Sequence, residues 1–185
     1  DVYNRNRDLL RQGYELRKRG LISGVELQEM VLSSMLVPKE EHNQLMSQCL
    51  EEASQRNPAG DGVRLLISAS MLDDTDFFQL VEECGGQVVV DDMPTGSRYF
   101  YYSVNGEAEP LQALAQRYLA QIPCPRKMLP GARLQYVDEA MSGGNVQGAI
   151  IHNLKACDCH LYEYPYLREM LEAKGLPVLF FRGEE

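Results

Sequence analysis

The 185 residues, 44% of them hydrophobic, are enough to bury a core without disulfide or metal staples, and favour one domain or a domain with a helical appendage. A formal charge of -9 excludes the basic stripe that nucleic-acid binding demands, and no apolar run approaches the roughly 18 residues of a membrane span. The five cysteines (Cys49, Cys84, Cys124, Cys157, Cys159) are odd in number and unevenly spaced, which fits thiols, catalysis or metal in a cytoplasmic protein better than a disulfide framework.

No basic stretch leads into an apolar segment at the amino terminus, so no secretory signal is read there and a cytoplasmic location is expected. The chain opens on Asp1, which suits a piece of a longer polypeptide. Residues 1–60 read as a helical linker or appendage. Leu9, Leu10, Tyr14, Leu16 and Leu21 recur near helical spacing among arginines, lysines and glutamines. Ser23 followed by Glu26 forms a capping box that opens a helix to about Leu36. Pro38 and Lys39-Glu40-Glu41 start the next helix, which runs to about Gln55 and stops before Asn57-Pro58-Ala59-Gly60.

Residues 61–185 read as an α/β domain, because short β-rich runs now alternate with amphipathic helices. Strands are expected at 63–69, 87–91, 147–153 and 177–181, and helices at 74–84, 110–121, 129–141 and 164–173, with a loop over 93–98. The expected fold is α/β: a small, four-stranded, mainly parallel, flavodoxin-like sheet with helices on both faces, preceded by the helical segment. Open parallel sheets bind ligands outside the carboxyl ends of their strands. That rule directs attention to the loops 68–74, 91–98 and 153–165.

The third loop carries the richest chemistry. His152, Cys157, Cys159 and His160 follow directly from the apolar strand residues Ala149-Ile150-Ile151. Thiolates are the usual ligands of iron–sulfur clusters, while a free cysteine is also a common small core residue. One cysteine cannot hold a cluster, and C-x-C is a weak metal signature. Ser68 and Ser70 stand where a strand end meets a helix start, a place for a substrate oxygen or a phosphate; helix capping explains Ser70 or Asp73 equally well. Asp91 and Asp92 suit orienting a substrate or partner loop, or a solvated strand end. Arg98, beside Gly96 and Ser97, suits a carboxylate, a phosphate or a structural ion pair. His152 reads as a core-edge imidazole, and His160 as a surface residue or a donor behind the site. Cys124 between prolines suits a turn, or a contact near a metal. Cys49 and Cys84 read as helix packing, and Tyr162, Tyr164 and Tyr166 as cover for the sheet.

The run Gly148-Ala149-Ile150-Ile151-His152-Asn153-Leu154-Lys155-Ala156-Cys157-Asp158, with His160, Tyr162, Tyr164-Pro165 and Leu167-Arg168-Glu169, resembles the carboxyl-terminal signature of the 2-hydroxyacyl-CoA dehydratase and benzoyl-CoA reductase family. Asp91-Asp92-Met93-Pro94-Thr95-Gly96-Ser97-Arg98-Tyr99-Phe100 is similar to that family's loop after its second strand, and Ile122-Pro123-Cys124-Pro125 to its proline-flanked cysteine. Tyr3-Asn4-Arg5-Asn6-Arg7, Leu21-Ile22-Ser23-Gly24 and Pro38-Lys39-Glu40-Glu41-His42-Asn43 resemble its linking helices, so the similarity spans nearly the whole chain in order.

The resemblance implies a catalytic heterodimer with a second homologous subunit. Each subunit would carry a 4Fe–4S cluster held by three cysteines, two of them from an amino-terminal region. Only the third ligand maps here, onto Cys157; Cys159 stands where many relatives have proline and is a departure. The implied chemistry is one-electron reduction of a CoA thioester, leading to loss of a 2-hydroxyl group or to reduction of an aromatic ring. An ATP-hydrolysing iron–sulfur activator would supply the electron, and no P-loop is present in this sequence. The rival readings are a cluster-free, flavodoxin-like module that binds CoA or a partner, and a scaffold subunit that completes a heterodimer.

Overall fold

A computed structural model describes residues 1–120, 124–127 and 130–183 of the chain. Its first segment is helical: α1 (Val2–Lys18), α2 (Gly24–Leu36) and α3 (Lys39–Ser54). The capping box at the start of α2 is formed. Ser23 Oγ accepts from Glu26 N–H at 3.0 Å, and Glu26 Oε2 accepts from Ser23 N–H at 2.7 Å, so two end-of-helix donors are satisfied reciprocally.

The sheet consists of β1 (Val63–Ala69), β2 (Gly86–Asp92), β3 (Gly148–Leu154) and β4 (Val178–Gly183), all parallel, in the order β2-β1-β3-β4. This is the expected α/β architecture. The chain steps outward from β1 to β2 and then returns to the other side of β1, which places the topological switch between the carboxyl ends of β1 and β3. β1 and β2 slip by one residue: Leu65 pairs with Val88 but Leu66 with Val90, so Val89 is an extra residue of β2. Beyond the slip, Asp92 lies opposite Ser68.

Helices cover the sheet unequally. One face is packed by α1, by α7 (Pro130–Met141) and by α8 (Asp158–Ala173), where Leu66, Val90 and Ile151 meet Leu10, Tyr14, Val137 and Leu171. Leu10 and Leu171 are wholly buried, and each such side chain stabilises the fold by roughly 1.5–3 kcal/mol. This core is continuous with the apolar stripes of α2 and α3, through Leu27, Val31, Met46 and Leu50. The other face holds a smaller core under α4 (Asp76–Glu83), where Phe78 and Val81 pack with Ile67, Val88 and Ile150.

Several boundaries differ from the sequence expectation. The loop expected over 93–98 contains the start of a one-turn helix, α5 (Ser97–Phe100). Helix α4 begins at Asp76, later than expected, because Asp74 Oδ1 accepts from Asp76 N–H at 3.1 Å and holds an Asx turn ahead of it; neither Ser70 nor Asp73 caps the helix, whose cap position is Thr75. Helix α6 covers Pro110–Ala120, and Gln121, the expected last residue, lies outside the described residues. The last helix, α8, starts at Asp158, ahead of the expected start at 164, and contains Pro165. Proline is costly inside a helix because it lacks an N–H and crowds the preceding turn; here tertiary packing of His160, Glu163, Leu167 and Leu171 overrides that cost.

Candidate functional site at the carboxyl edge of the sheet

The carboxyl ends of β1 and β2 deliver Ser68, Asp91 and Asp92 into the protein interior, not into solvent. Asp92 is completely buried. Arg133, from α7, meets both of its carboxylate oxygens, with Nη1 donating to Oδ1 at 2.8 Å and Nη2 to Oδ2 at 2.5 Å. Ser68 Oγ donates to Oδ2 at 2.7 Å, and Arg98 Nε stands 3.2 Å from Oδ1. Arg133 Nε then donates to Glu163 Oε2 of α8 at 2.6 Å. Arg98 Nη2 donates to the carbonyls of Ala69 at 3.1 Å and Asp92 at 3.4 Å. Two guanidiniums and two carboxylates thus share one buried site, in which opposite charges compensate the loss of hydration.

Burial alone would disfavour the Asp92 anion, but Arg133 and Arg98 prevail and hold its carboxyl well below the usual carboxylate range. For Glu163 burial wins, and its carboxyl is raised from its ordinary value despite Arg133. Burial also pushes His160 down to about 3, with the positive charges of Arg133 and Arg98 acting in the same direction. His160 is therefore neutral at pH 7 and inside the protein, not on its surface.

Asp91 faces a separate set of partners. Arg17 Nη2, itself buried, donates to Asp91 Oδ1 at 2.7 Å, and Ser97 N–H donates to Oδ2 at 2.7 Å. Ser97 Oγ donates to the Asp91 carbonyl at 2.7 Å and lies 2.7 Å from Tyr136 Oη. Gly96 makes this fold of the loop possible, because a Cβ there would collide with the Asp91 carboxylate. Neither acid is the solvated strand end that the sequence leaves open.

At the end of β3, His152 lies between aromatic rings, 4.8 Å from Phe77 and 5.3 Å from Phe181. Asn153 is buried, and its Oδ1 has no hydrogen-bond partner among the described residues. Ser70 ties β1 to this strand end: its N–H donates to the His152 carbonyl at 3.2 Å, and its Oγ accepts from Leu154 N–H at 3.1 Å. A tight turn follows. Cys157 N–H donates to the Leu154 carbonyl at 3.1 Å, Ala156 has a φ of 65°, and Cys157 occupies the cap position of α8. A non-glycine residue in this left-handed region carries strain, a feature often found at functional loops.

Cys157 and Cys159 are both partly exposed on this rim. Cys124, also partly exposed, immediately precedes a short 3-10 turn (Pro125–Lys127) that packs on α8. Cys49 and Cys84 are exposed, which corrects their reading as packing residues; Cys84 sits past the last turn of α4, beyond the buried Val81. Of the three tyrosines of α8 only Tyr164 covers the sheet, 4.2 Å from the ring of Phe180, while Tyr162 and Tyr166 face solvent because they fall off the stripe of His160, Glu163 and Leu167. The residues that sequence reasoning misses are Arg17, Arg133 and Glu163. Each occupies a position on the apolar stripe of its helix, the one available signal that its charge is buried.

An iron–sulfur cluster of the kind the resemblance implies would find the thiol of Cys157 on this rim. Cys157 offers a single partly exposed thiol at a helix start, and among the described residues no group of three or more His, Cys, Asp or Glu side chains is arranged to hold a metal ion. No helix among the described residues is long and apolar enough to cross a membrane.

The sequence matches the family described as 2-hydroxyglutaryl-CoA dehydratase, D-component, over residues 1–185. It is 26% identical over 182 residues to the (R)-phenyllactyl-CoA dehydratase beta subunit of Clostridium sporogenes, covering 96% of this chain and 48% of that one. It is 24% identical over 196 residues to a benzoyl-CoA reductase subunit from Thauera aromatica, covering 100% of this chain and 50% of that one. The lactoyl-CoA dehydratase beta subunit of Anaerotignum propionicum is 22% identical over 191 residues, with 100% and 50% covered. The chain thus spans about half the length of the curated relatives it matches. With a family match running from end to end, this chain belongs to the 2-hydroxyglutaryl-CoA dehydratase D-component family.

Proposed function

We propose that this chain is the carboxyl-terminal part of an iron–sulfur subunit in which Cys157 supplies one thiolate of a 4Fe–4S cluster, the remaining cysteine ligands coming from polypeptide outside these 185 residues. The observation that carries the reading is the position of Cys157: partly exposed, directly after β3, at the carboxyl edge of a parallel sheet and at the start of α8. The positive end of a helix favours a thiolate, and the strand-end crevice is where open α/β sheets place their ligands. Cys124, which adjoins the turn packed on α8, is the candidate for a contact near the same group.

When bound, the cluster would supply single electrons to a CoA thioester, for dehydration or for ring reduction. The residues of this chain do the positioning. Glu163 and Arg133 anchor the first turns of α8 to Asp92 at the end of β2. Ser70 fixes the last residues of β3, and Arg98 clamps the end of β1 through the Ala69 carbonyl. Ser68 serves the same frame through Asp92. In this reading Ser68, Ser70 and Arg98 hold the loop that bears Cys157 and do not touch the thioester. The relatives are named as subunits of dehydratases and a reductase, which supports assembly with a second homologous subunit, and an ATP-dependent iron–sulfur activator is the proposed electron source.

The test is iron and acid-labile sulfide analysis of the full-length polypeptide, purified without oxygen with and without Cys157→Ser. Loss of most of the iron and of the visible cluster absorbance is expected in the variant. Unchanged iron together with unchanged turnover sinks the ligand assignment and favours the cluster-free binding module.

A further inference from the structure

All-parallel sheets are stable when both faces are covered, because their strands are apolar on both sides. This sheet meets the condition on the face of α1, α7 and α8, but on the opposite face α4 shelters β1, β2 and, through Ile150 and His152, β3, and stops short of β4. Over β4 that face is exposed. Leu179 is 60% exposed and Phe181 45%, and Leu80 on the flank of α4 is 55% exposed. With Leu65, Phe77 and Ile150 they line two adjoining cavities of about 300 and 620 Å³ that share Phe77, Leu80 and Phe181.

We propose that this face is the seat of one amphipathic α-helix, laid beside α4 over β4 and supplied by polypeptide of this subunit outside the 185 residues. Three observations select that occupant. A helix is the element that covers parallel strands, and the bare strip beside α4 has the shape of a missing neighbour in a doubly wound layer. The relatives are about twice as long as this chain, so the family has polypeptide to supply it. The charge also discriminates: the exposed acids Asp73, Asp74 and Asp76 outnumber the exposed cation Arg182 in the lining at one end of the strip, so a second copy of a chain of formal charge -9 would bring like charges together. The incoming helix carries leucine-like residues on one side and lysine or arginine towards Asp73, Asp74 and Asp76. This inference is independent of the cluster assignment.

Cys84 lines the smaller cavity and is exposed, which makes it a native reporter, and the exposed Cys49 on α3 is an internal reference. The 185-residue chain and the polypeptide of the complete reading frame are each alkylated with a maleimide, and the ratio of Cys84 to Cys49 labelling is read by peptide mass spectrometry. The expected result is a ratio at least tenfold lower in the complete polypeptide. It should be restored there by Phe181→Asp or, if that variant does not fold, by Leu80→Glu on the exposed flank of α4. Equal ratios overturn the proposal, as does a reading frame that adds no amphipathic helix. A low ratio already present in the 185-residue chain, with a dimer seen by light scattering, assigns the face to a second copy and overturns it too.

Discussion

Arg133 grips Asp92 at both oxygens, at 2.8 and 2.5 Å, with neither residue more than 1% exposed. The contact joins α7 to the end of β2, and through Glu163 it reaches α8, the helix that starts at the Cys157 loop.

Removing one partner leaves buried charge without compensation. Asp92→Ala is expected to lower stability by roughly 3–5 kcal/mol, read from urea unfolding. Arg133→Met in the same chain should cost less in the double variant than the sum of the two single changes, since both charges then leave together. A cost for Asp92→Ala below about 1 kcal/mol would contradict the buried geometry.

Acid sensitivity follows from His160. Its folded-state value of about 3 lies below the ordinary 6.5, so between those limits the unfolded chain binds the proton and the folded chain does not. Stability therefore falls as pH drops from 6.5 towards 3, with a slope approaching about 1.4 kcal/mol per pH unit for one proton. Glu163, raised above its ordinary 4.5, acts in the opposite sense just above that pH. Asp92, held low, adds its own loss only as pH falls below its ordinary 3.8. His160→Gln should flatten the curve between pH 5 and 6.5, above the ordinary values of both acids; an unchanged slope in urea midpoints across that window would refute the assignment.

Gly96→Ala places a methyl group against the Asp91 carboxylate, which already binds Arg17 and Ser97 N–H. A loss of about 1–3 kcal/mol is expected, accompanied by faster amide exchange at Ser97. Retention of both stability and exchange protection would show that the loop has room to adapt.

At Ala156, φ is 65°, a conformation that glycine adopts without the Cβ penalty. Ala156→Gly should raise stability by about 1 kcal/mol in thermal or urea unfolding. A decrease would mean that the turn tolerates alanine without strain.

Much of the architecture is legible in the sequence. The β-rich runs around Leu66, Val89 and Ile150 are short and bounded by glycine and proline, and Ser23 with Glu26 announces its helix through a local hydrogen-bond pattern. The site is less so. Arg133 and Asp92 are 41 residues apart, and nothing local distinguishes a guanidinium that meets a buried acid from one that meets water. The same gap hides the setting of His160, whose ring feels the charges of Arg133, Arg98 and Asp92 only once the fold brings these residues together. The early start of α8 is hidden for a related reason: the local cost of Pro165 inside a helix yields to the contacts of the turns before it.

The extra residue at Val89 sets the phase of everything downstream in β2. With Leu66 opposite Val90, it is Asp92 that meets Ser68; with an unbroken ladder, Asp91 would stand there instead. Deleting Val89 would straighten the strand yet leave Val90 opposite Leu66 and Asp92 opposite Ser68, so Arg133 and Arg17 would keep their counterions and only the local bend of β2 would be lost.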